Sequence, residues 1–109
     1  MNDLEAALLD ELTDGGDPEL LLRSRTRIDA GRWWRRNPVW ICITKSELIL
    51  FAVARRRYVE RLPLADCHAC HYLAATGELV IDSTDRLRIK HVKLTPREAL
   101  KALDSLTIQ

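Results

Sequence analysis

The chain has few of the residues that build phosphate loops or cross-linked folds: among its 109 residues are four glycines and three cysteines. The four glycines form no Gly-rich phosphate loop. An odd number of cysteines favours a reducing compartment over a secreted disulfide framework. The longest uninterrupted apolar run, residues 48–54, falls well short of the roughly 18 residues that a membrane-spanning helix needs. Residues 1–17 contain acids but no Lys or Arg, the reverse of a secretory signal peptide.

What is present is typical of one soluble domain. Apolar residues make up 47% of the sequence and charged residues 30%, which argues against disorder. A domain of this length buries roughly two-thirds of the surface that its unfolded chain exposes, so it can form one core without disulfides or metals.

The net charge of +1 hides a strong asymmetry. Residues 1–22 carry seven acids and no Lys or Arg, whereas residues 23–61 carry eleven Lys and Arg against three acids. This split predicts that an acidic arm, residues 1–22, either folds onto the basic region or recruits a partner of its own. Thirteen of the seventeen basic residues are Arg, which binds carboxylates and phosphates through paired hydrogen bonds.

Two helices are predicted in the acidic arm. Residues 3–12 form an amphipathic helix, capped by Asn2 or Asp3 and stopped by the Thr-Asp-Gly-Gly segment that follows. Its apolar stripe consists of Leu4, Ala7, Leu8 and Leu12. A second short helix is predicted over residues 17–22, with Pro18 in its first turn. We expect the apolar stripes of both helices to pack on the core of the domain. The alternative is that the arm binds a partner.

From residue 26 onward the apolar pattern becomes that of strands. Val39, Ile41 and Ile43 alternate with Trp40, Cys42 and Thr44. The third strand is apolar on both faces and is therefore predicted to be central. Turn residues recur every eight to ten positions, which predicts an antiparallel sandwich or barrel. The seven predicted strands cover residues 26–34, 39–44, 47–54, 58–62, 66–73, 78–82 and 86–93.

The final predicted element is an amphipathic helix over residues 95–107. Thr95 and Glu98 have the spacing of a capping box, and Pro96 occupies the first helical position. Leu94 precedes the cap and is placed for a hydrophobic staple to Ala99. The apolar stripe consists of Ala99, Leu100, Ala102, Leu103 and Leu106. We expect this helix to plug the open end of a barrel.

Residues 39–106 resemble the bacterial pleckstrin-homology domains. The shared features are a "T-x-x-x-L" hairpin from Thr44 to Leu48, an apolar strand, and an "IPL-x-D-I" type segment that reads Leu-Pro-Leu-Ala-Asp-Cys over residues 62–67. Cys67 stands where the family usually has Ile or Val. The resemblance implies a mainly β PH-like barrel of seven antiparallel strands in two packed sheets, with a C-terminal helix. The short N-terminal helical arm is an additional element predicted from its own residues. The resemblance also implies a binding module without catalytic activity. We predict that the chain consists of an arm (residues 1–22) and a barrel domain (residues 23–109).

Basic loops and tryptophans are the candidate binding residues. Interfacial Trp beside Arg suits an anionic membrane surface, whereas an exposed apolar patch suits a protein partner. Alternatively, one Trp faces the core and the Arg residues are solvated or paired with the acidic arm. The predicted anion-binding residues are Arg32, Arg35, Arg36, Arg55, Arg56 and Arg57, and the predicted interface residues are Trp33, Trp34 and Trp40.

The segment Cys-His-Ala-Cys-His, residues 67–71, suggests a metal site by composition. Along an extended strand, however, Cys67 and His71 share one face while His68 and Cys70 share the other. Because C-x2-C ligands converge on a tight turn, the segment predicts two small buried cysteines and two partly exposed histidines. We therefore predict no metal and no cofactor.

Other functional classes fit the sequence less well. No nucleophile motif is present, so no enzymatic activity is predicted. Single-stranded nucleic acid could stack on Trp beside Arg, but the pI of about 7.8 lies below the basic range of such domains. The leading prediction is a cytoplasmic protein-binding or self-assembling module. The alternative is binding to an anionic membrane surface or a phosphorylated ligand, with the chain peripheral to the membrane.

Overall fold

The computed structural model describes residues 1–29, 36–53, 57–67, 70–81 and 91–107. Helix α1 precedes seven strands, and helix α2 follows them. A 3₁₀ turn, Leu64–Asp66, lies between the fourth and fifth strands. The element bounds are α1 Asp3–Leu12, β1 Leu20–Asp29, β2 Arg36–Ile43, β3 Glu47–Val53, β4 Arg57–Pro63, β5 His71–Leu73, β6 Glu78–Val80, β7 His91–Lys93 and α2 Pro96–Thr107.

The first four strands form one antiparallel sheet in the order β1-β2-β3-β4. As predicted, β3 is internal, and its residues from Leu48 to Val53 are buried on both faces. The alternation along β2 is also confirmed. Val39, Ile41 and Ile43 face one core, while Trp40 and Cys42 face another on the opposite side of the sheet.

The inner face of this sheet packs against the three-stranded sheet β5-β6-β7 and against α2. We call this packed interior the main core. Both sheets and the helix contribute buried apolar side chains, as expected when two sheets and a helix share one interior. The four-stranded sheet contributes Val39, Ile41, Ile43, Leu48, Leu50, Ala52 and Leu62, and the other elements contribute Leu79, Ile81, Val92, Leu94, Ala99, Ala102 and Leu106.

The predicted barrel closure is wrong for the described residues, because the two sheets have separate hydrogen-bonded ladders. They approach each other between β1 and β7. There the N–H of Lys93 donates to the Thr26 hydroxyl oxygen at 2.8 Å, where a closed barrel would pair it with a backbone carbonyl. The Thr26 side chain thus binds a backbone N–H of β7 that would otherwise be available for a ladder between the two sheets.

The predicted second helix over residues 17–22 is also wrong. Strand β1 begins at Leu20, and residues 20–22 pair with residues 43–41 of β2. Leu20 and Leu22 enter the main core while Leu21 turns to the other face. Alternating burial requires a strand, so pairing with β2 outweighs the helical start that Pro18 suggests.

Strand β1 contains a β-bulge. Arg23 lies opposite Trp40 and Arg27 opposite Pro38, so three residues of β1 stand between these pairs where β2 has one. Buried Ser24 satisfies the displaced backbone, since its hydroxyl donates to the Val39 carbonyl at 2.6 Å and accepts from the Thr26 N–H at 3.2 Å.

The predicted fifth strand, residues 66–73, is shorter in the structure. Pro63 ends β4 as predicted, and the 3₁₀ turn then carries the chain away, with the Cys67 N–H donating to the Leu64 carbonyl at 3.0 Å. Only His71–Leu73 form β5. The turn therefore lies between the last strand of the first sheet and the first strand of the second.

Helix α2 confirms its predicted start. The Glu98 N–H donates to the Thr95 hydroxyl oxygen at 3.2 Å, and the Glu98 carboxylate accepts from the Thr95 N–H at 3.0 Å. This reciprocal pair is a capping box. Leu94 and Ala99 are both buried in the main core. Leu100, predicted on the apolar stripe, is instead exposed, whereas Ala99 and Ala102 on the same helix are buried.

Neither helix in the described part of the chain is long and apolar enough to span a lipid bilayer.

Candidate functional site

The four-stranded sheet has a second apolar face, opposite the main core, which we call the outer face. Its strands contribute buried side chains and two partly buried ones. Trp40 and Phe51 stack at its centre, with ring centroids 6.4 Å apart and planes 14° from parallel. The outer face consists of Leu21, Trp40, Cys42, Ile49, Phe51, Val53 and Val59.

Helix α1 covers this face, and among the described elements it is the one that does so. Leu8 is only 2% exposed, and Leu9 and Leu12 are partly buried beside it. The predicted stripe is therefore rotated, because Leu4 is 66% exposed. The face of α1 that meets the sheet has Glu5 in place of Leu4, followed by Leu8, Leu9 and Leu12.

Glu5 forms the polar contact at the start of the helix. Its side chain is buried, and its Oε2 accepts a 2.5 Å hydrogen bond from the Trp40 indole N–H. Its Oε1 accepts from the Asn2 N–H at 3.0 Å, while Asn2 Oδ1 accepts from the Glu5 N–H at 2.8 Å. Glu5 thus completes the N-terminal capping box, which confirms Asn2 as the cap, and joins the helix to the sheet.

Two arginines of β4 hold the other end of the helix. Arg57 forms an ion pair with Glu11 at 2.8 Å. Arg61 donates to the Leu12 carbonyl at 3.3 Å and binds the Glu47 carboxylate through its Nε and Nη2 atoms. A cation at the carboxyl end of a helix complements the negative end of its dipole.

Two groups of the outer face and its edge, Arg61 and Cys42, have raised pKa values. The hydrogen bond with Glu47 raises the pKa of Arg61, which remains a fixed positive charge. Burial raises the pKa of the Cys42 thiol to about 11, with a further increase from Glu47, so it stays neutral at physiological pH. The outer face is therefore apolar at its centre, with an indole donor near the start of α1 and guanidinium groups near its end.

The structure places some of the predicted binding residues and not others. Trp40, predicted at an interface, is 8% exposed and lies beneath the helix of its own chain. Its indole N–H donates a hydrogen bond to Glu5 of that helix. Arg57 is exposed and paired with α1, and Arg36 begins β2. Arg32, Trp33, Trp34, Arg35, Arg55 and Arg56 lie outside the described residues.

The segment of residues 67–71 is described in part. Cys67 is buried, Cys70 is half-buried and His71 is exposed, whereas His68 lies outside the described residues. The pKa of the Cys67 thiol is raised, mainly by a hydrogen bond with Cys70 and to a smaller extent by burial. No group of three or more metal-ligating side chains comes together within the described ranges.

Glu5 and Arg61 were missed as site residues by the sequence analysis. A signal for Glu5 was present, since Asn2 and Glu5 have the spacing of a capping box, which puts the glutamate on the first turn. Arg57, Val59 and Arg61 alternate along β4, which predicts one common face. Neither pattern reveals that the two sets meet, because α1 and β4 are far apart in the chain.

Comparison with protein-family models, curated proteins and solved structures finds no match to this chain. The arrangement of the outer face is therefore what indicates its chemistry. It holds a helix of about three turns through apolar contacts along the centre and polar contacts at both ends.

Proposed function

We propose that this chain is a non-catalytic protein-binding module and that the outer face is its binding surface. One observation carries the proposal: the sheet presents a second apolar face that is separate from the main core and that, within the described residues, is covered by one ten-residue helix. Apolar surface of this kind, with an aromatic residue at its centre, is typical of protein interfaces.

The helix that covers the face is held by contacts that are separate from the main core. An isolated helix of ten residues is marginal in water, so α1 depends on contacts with the sheet. It connects to β1 through residues 13–19, where Asp14 and Gly15 both have positive φ. The left-handed conformation of Asp14 costs about 1 kcal/mol. Because the main core contains no residue of α1, this helix can detach without opening that core.

The order of elements supports a PH-like assignment within this proposal. Seven strands in two antiparallel sheets are followed by a C-terminal helix on the shared core, as the resemblance of residues 39–106 implies. The free thiols of Cys42, Cys67 and Cys70 support a cytoplasmic location. Neither assignment changes the binding surface proposed here.

The test compares two variants with the same substitution on the same helix. Leu8→Asp places a charge against the outer face and detaches α1, while Leu4→Asp adds the same charge at an exposed position. The probe is a fluorescent peptide with the sequence of residues 1–13. We expect the Leu8→Asp chain to bind it at least about tenfold more tightly than the Leu4→Asp chain, since detachment removes the internal competitor. Equal affinities would refute the proposal.

Self-assembly is measured with the same variants by light scattering on a sizing column. Exchange of α1 between two chains requires Leu8, so a dimer in the Leu4→Asp chain that is absent in Leu8→Asp identifies a second copy as the partner. A dimer that persists in the Leu8→Asp chain would place the interface elsewhere and contradict the assignment of the outer face.

A further inference from the structure

The three polar contacts of α1 lie at defined positions along the helix. Glu5 meets the indole N–H of Trp40, Glu11 meets Arg57, and the carbonyl of Leu12 meets Arg61. From residue 5 to residue 12 a helix rises about 10 Å. Between these contacts Leu8 and Leu9 fill the apolar centre of the outer face.

We infer that the outer face selects acidic amphipathic helices with the pattern Glu-x-x-Leu-Leu-x-Glu-Leu, and that α1 is an internal copy of this ligand which competes with the partner. The inference rests on the proposed function and adds to it the chemistry of the partner, its direction of binding and the means of regulation.

The contacts select an acidic ligand over a neutral one. The carboxylate of Glu5 is buried and has two N–H donors, one from Trp40 and one from Asn2. Hydrogen bonds to a charged acceptor are shorter and stronger than those between neutral groups. At the other end, the guanidinium of Arg57 has a second carboxylate as its partner. Neutral side chains at both positions would leave a weaker bond to Trp40 and no ion pair.

The contacts also fix the direction of the helix. Arg61 donates to a carbonyl at the C-terminal end of α1, where the helix dipole is negative. A helix that lay in the opposite direction would present its N-terminal N–H groups to Arg61. Donor would then face donor, and the positive end of the dipole would lie against the cations of β4.

The internal copy is suited to displacement. Arg57 and Glu11 are both more than half exposed, so water and salt weaken their attraction. Met1 and Leu4 are exposed and add nothing to the apolar contact. A tethered ligand still acts at a millimolar effective concentration. A partner helix therefore binds well only when its apolar contacts exceed those of α1 or when α1 is detached.

The experiment uses the full chain carrying Leu8→Asp, in which the internal copy is detached, and three labelled peptides. The first has the sequence of residues 1–13, the second carries Glu5→Gln and Glu11→Gln, and the third carries Leu8→Asp as a control for the apolar contact. Fluorescence anisotropy at low salt gives each Kd. We expect the amide peptide to bind about tenfold more weakly than the first, and the third peptide not to bind.

Charge variants of the protein locate the contact. Arg57→Glu is added to the Leu8→Asp chain, and its matched control is Arg97→Glu, an exposed arginine on α2 that is remote from the outer face. We expect Arg57→Glu to weaken binding of the first peptide about fivefold and Arg97→Glu to change it less than twofold. A peptide with Glu11→Arg should recover affinity for the Arg57→Glu chain, because the swap restores opposite charges.

The outcomes separate this inference from the proposed function. If the amide peptide binds as tightly as the first peptide, while the Leu8→Asp chain still binds both more tightly than the Leu4→Asp chain, selection for acids is refuted and the protein-binding surface stands. If no peptide binds, both fail. If vesicles of phosphatidylserine and phosphatidylcholine bind the Leu8→Asp chain and displace the peptide, the ligand is a lipid surface and the inference is overturned.

Competition is also measured in the unmodified chain, which guards against a variant that fails to fold. An excess of the first peptide should raise amide hydrogen exchange in residues 3–12 of the protein, because displaced α1 loses its contacts. Exchange in β3 should not rise, since the main core stays closed. Unchanged exchange in α1 at peptide concentrations well above the millimolar effective concentration of the tethered copy would show that α1 does not compete.

Discussion

The hydrogen bond between Glu5 and Trp40 predicts a measurable coupling between α1 and the four-stranded sheet. The two side chains are 5% and 8% exposed, and the bond is 2.5 Å long. Trp40→Phe leaves the buried carboxylate with one donor fewer, which costs about 1.5–3 kcal/mol for a bond to a charged group. Glu5→Ala leaves the indole N–H without its acceptor, which costs about 1–3 kcal/mol.

The double variant loses both partners and leaves neither unsatisfied. Its cost should therefore fall short of the sum of the single costs by about 2 kcal/mol. Other effects of each change, such as the lost bond between Glu5 and Asn2 or the smaller ring at position 40, occur equally in the single and double variants and cancel. If α1 detaches, water reaches both groups. The cost of each substitution therefore cannot exceed the free energy with which α1 docks on the sheet.

Urea unfolding followed by far-UV circular dichroism measures the coupling without relying on the substituted tryptophan. The control combines Trp40→Phe with Thr95→Ala, because Thr95 caps α2 on the opposite side of the sheet and separated sites are additive. A coupling below about 0.5 kcal/mol for Glu5 and Trp40 would refute the conclusion that this bond holds α1 on the sheet.

Three further predictions concern stability and reactivity. Leu8→Ala should lower the free energy of unfolding by about 2–3 kcal/mol, whereas Leu4→Ala on the same helix should change it by less than about 0.5 kcal/mol; equal losses in thermal melts would contradict the rotated stripe. Thr95→Ala should cost about 1 kcal/mol and Thr95→Ser much less, because Ser keeps the capping oxygen; equal costs in urea would show that the cap contributes nothing. Since burial raises the pKa of Cys42 from 9.0 to about 11, the unfolded thiol ionises before the folded one as pH rises. Stability should thus be full below pH 9 and fall by up to about 3 kcal/mol as pH rises through 9 to 11, and a Cys42→Ala chain with the same pH dependence would disprove this.

Local features of the chain were predictable because their causes are local. The capping box at Thr95 and Glu98 depends on residues three positions apart, so helix α2 begins where its sequence indicates. The alternation along β2 and the two-sided apolar character of β3 follow from the period of a strand, and the structure confirms both. These signals need no knowledge of the rest of the chain.

Features that depend on distant partners were not predictable in the same way. Residues 20–22 fit a helix behind Pro18, and they form a strand because β2 offers them a backbone ladder. The helical period allows either Leu4 or Glu5 to begin the stripe of α1 that continues through Leu8 and Leu12. Glu5 is the buried one because Trp40 supplies a donor from the sheet. The two sheets keep separate ladders, and where β1 and β7 approach each other Thr26 accepts a hydrogen bond from a backbone donor of β7.

The sequence alone therefore determined the mainly β character of the fold, the start of α2 and the faces of the central strands, since periodicity and capping act over a few residues. Only the tertiary structure decided that the acidic helix lies across the second face of the sheet and that Arg57 and Arg61 meet its C-terminal end. The physical reason is that burial of an amphipathic helix depends on which apolar surface and which polar partners reach it. In this chain both come from strands that lie about 30 to 50 residues away in sequence.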